Sequence, residues 1–369
     1  MTTIRRPDRA AVRRALAACA TPLLALSMAP TASAAGHRPA DPSITVMTRN
    51  LYLGGDIASP VGAKTPADFA QRNSAVLATI DRNDFPGRAK LLAAEIAKAK
   101  PALIGMQEAA TISRSANGTA GKGTPTSIPL FDYLKTLQRE LARRGLRYST
   151  VVNGRAADVR GPVTEGYDVR LTLHDVILVR RTKGLTVRRS GSARYKAGFT
   201  VPSAIGPIPV RRGYGYADVT YRQRRFRFLT THLESFVDAT RVAQTRELVA
   251  RGGAARVKTP IIVVGDLNSD PRGRSQDAAG AYNVLRGFGM QDAWTQVHGN
   301  APGLTCCHSK DLDGPPPADD PPSRVDHVFI KGGHYRATKD VITGAKARAK
   351  IPKWGSDHSG VAATIRLKK

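Results

Sequence analysis

Residues 260–270 read Pro-Ile-Ile-Val-Val-Gly-Asp-Leu-Asn-Ser-Asp. Four β-branched residues, Ile261 to Val264, are bounded by Pro260 and Gly265. Such a run predicts a short strand buried on both faces at the centre of a sheet. Asp266 and Asn268 then stand two positions apart. In extended backbone such positions share a face. A carboxylate and a carboxamide therefore project together from the mouth of the sheet, where open α/β and layered folds place their chemistry. Asp and Asn are also favoured turn residues, so this pair alone does not separate a site from a turn.

The same ending recurs along the chain. Apolar stretches at 44–50, 103–106, 226–231, 325–330 and 361–367 are closed or opened by Asn50, Glu108, His232, Asp326 and Asp357-His358. Turn preference explains any one such ending, but much less readily six in one chain. Between them, helical spacing of apolar residues predicts helices at 66–80, from Asp84-Phe85-Pro86 to Pro101, at 131–144, near 239–251 and around 276–287. Further strands are expected at 148–152 and at His174–Val179, with a hairpin from Tyr214–Tyr221 to Phe226–Thr231. Ser-, Gly- or Pro-rich stretches at 111–130, 182–213 and 299–323 read as loops.

The N-terminus stands apart from this pattern. Arg5, Arg6, Arg9, Arg13 and Arg14 precede the mostly apolar Ala15–Ala29, and Ala32-Ser33-Ala34 is a small-residue cleavage site. Residues 1–34 thus predict a secretory signal peptide, too short to span a membrane, and 35–43 a polar linker. The arginine pairs suit a twin-arginine route, but the residues do not decide between it and the general route. Leu16-Ala17-Ala18-Cys19 has the form of a lipoprotein box, but Arg13 and Arg14 occupy the place of its apolar region. The single catalytic domain is expected over 44–369, in an extracellular protein.

The formal net charge is +28, and +24 once five arginines and Asp8 leave with residues 1–34. Such a charge favours polyanions, nucleic acid or an anionic membrane surface, although an arginine-rich codon bias would produce it too. After Cys19 only Cys306 and Cys307 remain, which excludes a disulfide-built scaffold. Three consecutive residues, Cys306-Cys307-His308, seldom converge on one metal ion.

In order, RNLYLGGD (49–56), GMQE (105–108), THLES (231–235), GDLNSD (265–270), RVDHVFI (324–330) and SDHSG (356–360) resemble the motifs of the endonuclease/exonuclease/phosphatase superfamily, the deoxyribonuclease-I-like phosphoesterases. The resemblance spans about residues 44–367. It implies an α/β four-layered sandwich: two mostly antiparallel sheets face to face, with helices outside. It also implies roles. Asn50, Glu108 and Asp357 take the metal positions, with Mg²⁺ or Mn²⁺ expected and Ca²⁺ as a third candidate. Asp266 orients or deprotonates the attacking water, Asn268 donates to a phosphoryl oxygen, and His232 bonds the phosphate. His358 pairs with Asp326. Either Asp266 or His358 could be the base. Asp175 falls where many relatives keep a polar residue behind the phosphate-binding histidine. These types suit the chemistry, because hard oxygen donors favour Mg²⁺ or Mn²⁺ over a zinc cage and imidazoles exchange protons near neutrality.

A phosphodiester substrate is expected, nucleic acid first, on the net charge and on Tyr195, Arg211 and Arg212 in the basic 182–213 excursion. A lipid head-group phosphodiesterase, like the secreted bacterial sphingomyelinases, is the alternative. At 6% aromatic content no run of adjacent aromatics supports a membrane-inserting hairpin. A non-catalytic binding protein on the same fold is the remote alternative. No obligate protein partner is implied, and a monomer is expected. Adjacent cysteines close no chain loop and restrict the unfolded chain little. The double variant Cys306→Ser/Cys307→Ser should therefore unfold at the parent's denaturant midpoint, and a loss of several kcal/mol would reveal a bound metal or an intermolecular bridge.

Overall fold

In the computed structural model, residues 41–119, 123–273, 278–314, 322–348 and 352–368 are described. The expected signal peptide and linker residues 35–40 lie outside them. Ser43, expected as the last linker residue, already pairs with Arg366 in the first strand. In chain order, β1 (Ser43–Asn50) leads through α1 (Ala58–Val61) to α2 (Pro66–Arg82) and α3 (Phe85–Ala99). Then come β2 (Leu103–Arg114), β3 (Ile128–Asp132), α4 (Tyr133–Arg143), β4 (Tyr148–Pro162) and β5 (Asp168–Arg180). The middle of the chain forms β6 (Leu185–Arg194), β7 (Phe199–Val201), β8 (Ile208–Val210), β9 (Gly213–Tyr221) and β10 (Arg224–His232). The last third runs α5 (Asp238–Val249), β11 (Ile261–Asp266), α6 (Gly280–Gly287), β12 (Gln291–Asp292) and α7 (Ala293–His298). It closes with β13 (Asp326–Lys331), β14 (His334–Thr343) and β15 (Gly360–Lys368).

One sheet has the order β14-β15-β1-β2-β5-β4, with β3 on β2, and the other β12-β13-β11-β10-β9-β6. Each has one parallel pair, β1/β2 and β10/β11, among antiparallel neighbours. Side-chain alternation sorts the core into layers. Ile262 and Val264 of β11 meet Val46, Leu103 and Ile177 between the sheets. Ile261 and Val263 face outward onto Leu248 of α5 and Leu285 of α6. Met47 and Ile104 on the other sheet pack against Ile80, Leu92 and Leu137 of α2, α3 and α4. The result is the expected four-layered sandwich, with the β-branched run at 261–264 buried on both faces.

Local signals start the helices where the sequence places them. The Thr65 hydroxyl accepts the Asp68 amide ahead of Pro66, and Asp84 accepts the Gly87 amide ahead of α3, each satisfying an otherwise orphaned donor. Several expected loops are strands instead. β2 does not stop at Glu108: it runs on to Arg114 through a bulge between Met106 and Ala109. The 111–130 stretch contributes β3, and the 182–213 excursion contributes β6 and the separate β7–β8 hairpin. Alternation there is too short, or too interrupted by Gly and charge, to show in the sequence.

The sheets approach closely at Gly105, where a Cβ would lie 2.5 Å from Val264 Cγ2 and 2.7 Å from Thr230 Cβ. Both neighbours are buried strand residues of the opposite sheet, so neither can swing aside. Gly105→Ala should therefore cost about 1–3 kcal/mol of stability, read as a lowered denaturant midpoint at constant m-value.

Candidate active site

Three adjacent strand ends build the floor of the site. β10 and β11 run parallel with His232 opposite Asp266, and β11 and β13 run antiparallel with Asp266 opposite Asp326. On the facing sheet β1 ends at Asn50, in register with Gln107. All six polar strand endings singled out in the sequence converge here.

Asp266 Oδ2 is the hub. Asn50 Nδ2 donates to it at 3.0 Å, while His232 Nε2 lies 3.4 Å away and His358 Nε2 3.7 Å away. Its other oxygen accepts the Asn268 amide at 2.9 Å. Burial pushes the Asp266 carboxyl up to about 7; His358 opposes this and Asp326 adds to it. His358 Nδ1 lies 2.8 Å from Asp326 Oδ2. Burial disfavours its imidazolium, but Asp326, Asp266 and Asp357 outweigh that and hold it well above the usual imidazole range. His232 goes the other way, well below that range, through burial, then Arg212 and His358. One imidazole is thus set as a cation and the other as a neutral ring.

The second half of the site is more open. Glu108 and Asp357 are half-buried, and Asp357 is pushed up to about 6 by burial, with His358 opposing and Glu108 adding. A pair of neighbouring carboxylates suits a hard divalent cation, and Glu108 and Asp357 would hold it. Asn50, expected at the metal site, is held by three hydrogen bonds. Its Oδ1 accepts the Tyr52 amide at 2.8 Å, and its Nδ2 points to Glu108 Oε1 (3.1 Å) and to Asp266. It therefore aligns the two carboxylates. Glu108 is aimed by the β2 bulge, where its φ is +54°, and by the Leu53 amide, which donates to its Oε2 at 2.7 Å.

The other expected residues divide. Asn268 sits at the mouth with φ +47° and donates from Nδ2 to the Leu233 carbonyl at 3.0 Å. Arg212 reaches His232 Nδ1 at 3.2 Å and also contacts Glu234 and Ser235. Asp175 is buried behind this arginine. Burial raises its carboxyl well above the usual range, with Arg212 opposing and Asp266 and Glu108 adding. Tyr195 is not a substrate surface: it is 3% exposed, with its hydroxyl 2.7 Å from Thr231 Oγ1. It is instead part of the core layer with Leu229 of β10 and Leu248 of α5, its ring centroid 5.4 Å from that of Tyr214 in β9. Arg211 lies outside the catalytic cluster, in the wall of an apolar cleft.

Several further contributors were not assigned a role from the sequence. Thr305 Oγ1 accepts the amides of Val325 and Asp326 at 3.1 Å each, tying the 299–323 loop to the dyad. Arg49 donates to the His358 carbonyl at 2.6 Å while paired with Glu95. His327 is bonded to the Ser269 carbonyl at 3.0 Å, and burial with Arg324 pushes it down to about 4. Cys306 Sγ lies 3.6 Å from His358 Nε2, and Cys306, Cys307 and His358 form one close group. His308 instead stacks on Trp354 with ring centroids 4.4 Å apart.

A family model for the Endonuclease/Exonuclease/phosphatase family matches residues 73–358. The chain belongs to this family. It is accordingly a hydrolase of phosphoric ester bonds. Solved structures agree on the fold. A family member from Bacteroides thetaiotaomicron superposes with TM-score 0.56 at 16% identity, covering 89% of this chain and 99% of its own. A mannosyl-6-phosphatase from Bacteroides thetaiotaomicron VPI-5482 gives 0.54 at 16% identity, with 87% and 99% covered. A family protein from Beutenbergia cavernae gives 0.51 at 20% identity, with 88% and 72% covered. No curated protein sequence matches significantly.

The 2.8 Å contact between Asp326 and His358 makes a double-mutant cycle informative. Asp326→Asn and His358→Ala should each lower kcat by about 10²–10⁴-fold, and the double variant should be little worse than the worse single. Additive losses would mean that the two act separately.

Proposed function

We propose that this protein is a secreted, divalent-cation-dependent phosphodiesterase that cleaves its substrate by attack of an activated water. The observation that carries the reading is the convergence of Asn50, His232 and His358 on Asp266, next to the Glu108–Asp357 carboxylate pair. A carboxyl near 7 is matched to accepting a proton at neutral pH, so Asp266 is assigned as the base for the water. His358, kept protonated by Asp326, donates toward the phosphoryl or leaving oxygen, and neutral His232 and Asn268 hold the remaining oxygens. Glu108 and Asp357 would hold a divalent cation, which would supply positive charge to the phosphoryl oxygens. Expected export through residues 1–34 supports an extracellular place of action.

For the substrate, the net charge supports nucleic acid. With Tyr195 buried and Arg212 turned toward His232 and Glu234, the basic excursion adds less to that case than its sequence suggests. A second reading, a lipid phosphodiester, is favoured by the apolar cleft beside Arg212. Plasmid nicking run beside phosphocholine release, each with and without chelator, separates the two; activity in neither would refute both.

Glu108→Gln should raise the Mg²⁺ or Mn²⁺ concentration for half-maximal activity by at least about tenfold, since even outer-shell changes cost ~10–100-fold in affinity. Mn²⁺ binding followed by electron paramagnetic resonance checks this without turnover. An unchanged titration would make Glu108 a bystander.

A further inference from the structure

Outside the catalytic cluster, an apolar cleft of about 360 Å³ runs between α2, the ends of β2, β4 and β5, and the β7–β8 hairpin. Its volume is within the range of small-molecule sites. Its floor includes Ile112, Val159 and Leu171, and α2 contributes Phe69 and Val76. The hairpin is built for this wall. Phe199 pairs with Val210 and Val201 with Ile208, all four half-buried and lining the cleft, while Thr200 and Pro209 between them are more exposed.

Two observations point to an occupant. Five large apolar side chains are exposed among the described residues, and three of them, Ile57 (39%), Val237 (38%) and Phe236 (74%), line this cleft. Exposed apolar residues gathered at one cavity mark a binding surface. The cleft is also continuous with the phosphate-binding side of the catalytic site. The hairpin strand ending at Val210 runs straight into Arg211 and Arg212, which line the cleft too, and Arg212 extends to His232 Nδ1 at 3.2 Å. Phe236 follows Ser235, whose Oγ accepts from Arg212 Nη2 at 3.1 Å. One end is therefore cationic and catalytic, and the other is apolar.

From this we infer that the cleft is a substrate subsite for a long hydrocarbon group esterified to the phosphate that the catalytic residues hydrolyse. The substrate class is an amphiphilic phosphodiester. The inference rests on the phosphodiesterase reading above and narrows its substrate. Nucleic acid offers no chain to cover Ile57, Val237 and Phe236, whereas an alkyl or acyl group covers them while its phosphate lies against Arg212 and His232. Charge complementarity selects an anionic amphiphile over a neutral one.

The test is a series of alkyl p-nitrophenyl phosphodiesters, methyl to dodecyl, each below its critical micelle concentration and supplied with Mn²⁺. Water adds to phosphorus and the bond to p-nitrophenolate breaks, leaving the alkyl phosphate. With leaving group and charge constant, kcat/KM should rise about two- to fourfold per methylene until the cleft is filled. Ile208→Asp and Phe199→Ser should flatten that rise and leave the methyl ester rate unchanged, which also shows that fold and catalytic site are intact. Dodecyl phosphate binding, measured by calorimetry in chelator, supplies a readout free of turnover and should exceed that of butyl phosphate by at least tenfold. Failure to hydrolyse any member, with dodecyl phosphate still bound, would refute the catalytic reading and leave the subsite standing. A flat series with flat binding, a slope that both variants keep, or equal affinity for dodecyl phosphate and neutral dodecyl maltoside would overturn the subsite.

Discussion

His232, Asp266 and Asp326 stand side by side because three strands end in the same register, His232 opposite Asp266 and Asp266 opposite Asp326. Side chains alternate across a strand, so a slip of one residue would send each of these groups to the other face. What prevents the slip is burial on both faces of β11. Ile262 and Val264 fill the space between the sheets, and Ile261 and Val263 fill the space under α5 and α6. Gly105 in the opposite sheet adds a steric key, because the Thr230 and Val264 side chains occupy the room a side chain there would need. The catalytic geometry is in this sense a consequence of core packing, not of local turn chemistry.

That dependence explains what could be read from the chain. Asp266, Asp326, His232 and the Asp357-His358 pair were legible because each terminates or opens an apolar run, and the layered fold followed from the order of the six motifs. The bulge that aims Glu108 was not legible. It interrupts β2 for only two residues, Gln107 and Glu108, and the strand resumes behind them. Thr305 was hidden for another reason: its contacts to Val325 and Asp326 span about twenty positions from a Pro-rich loop, and no periodicity marks such a pairing. Asn50 was legible as a site residue, but its hydrogen bonds to Glu108 and Asp266 were not. Which end of a carboxamide faces a site is decided by the Tyr52 amide, a tertiary detail.

The arginine excess has a similar history. Composition alone presents it as surface charge for a polyanion, yet Arg49, Arg88 and Arg241 are among the largest fully buried side chains. Arg88 donates to the carbonyls of Leu51, Tyr52, Asn83 and Gly355, joining the loop after β1 to the loop before β15. Arg49 joins β1 to His358 through its carbonyl, and Arg241 donates to the Asn268 carbonyl. A guanidinium presents five donors in a rigid fork and can satisfy several carbonyls at once. Part of the positive charge is thus structural, and net charge overstates what the surface offers to nucleic acid.

The catalytic residues also divide by exposure. Asp266, Asp326, His232 and His358 are buried, whereas Glu108 and Asp357 are half-buried. Asn50 touches both groups, donating to Asp266 on one side and Glu108 on the other. Proton transfer gains from the buried half, because low dielectric separates the proton affinities of neighbouring groups, as between His358 and His232. The open half, with Glu108 and Asp357, is where a divalent cation would be held, within reach of solvent. In the proposed reading a phosphate that reaches both halves would lie along the line that Asn50 bridges, with Arg212 and His232 at its flank. The apolar cleft opens from that same flank, where Arg212 lines it, so in the proposed reading the position of the phosphate would also set the direction in which the rest of the substrate leaves the site.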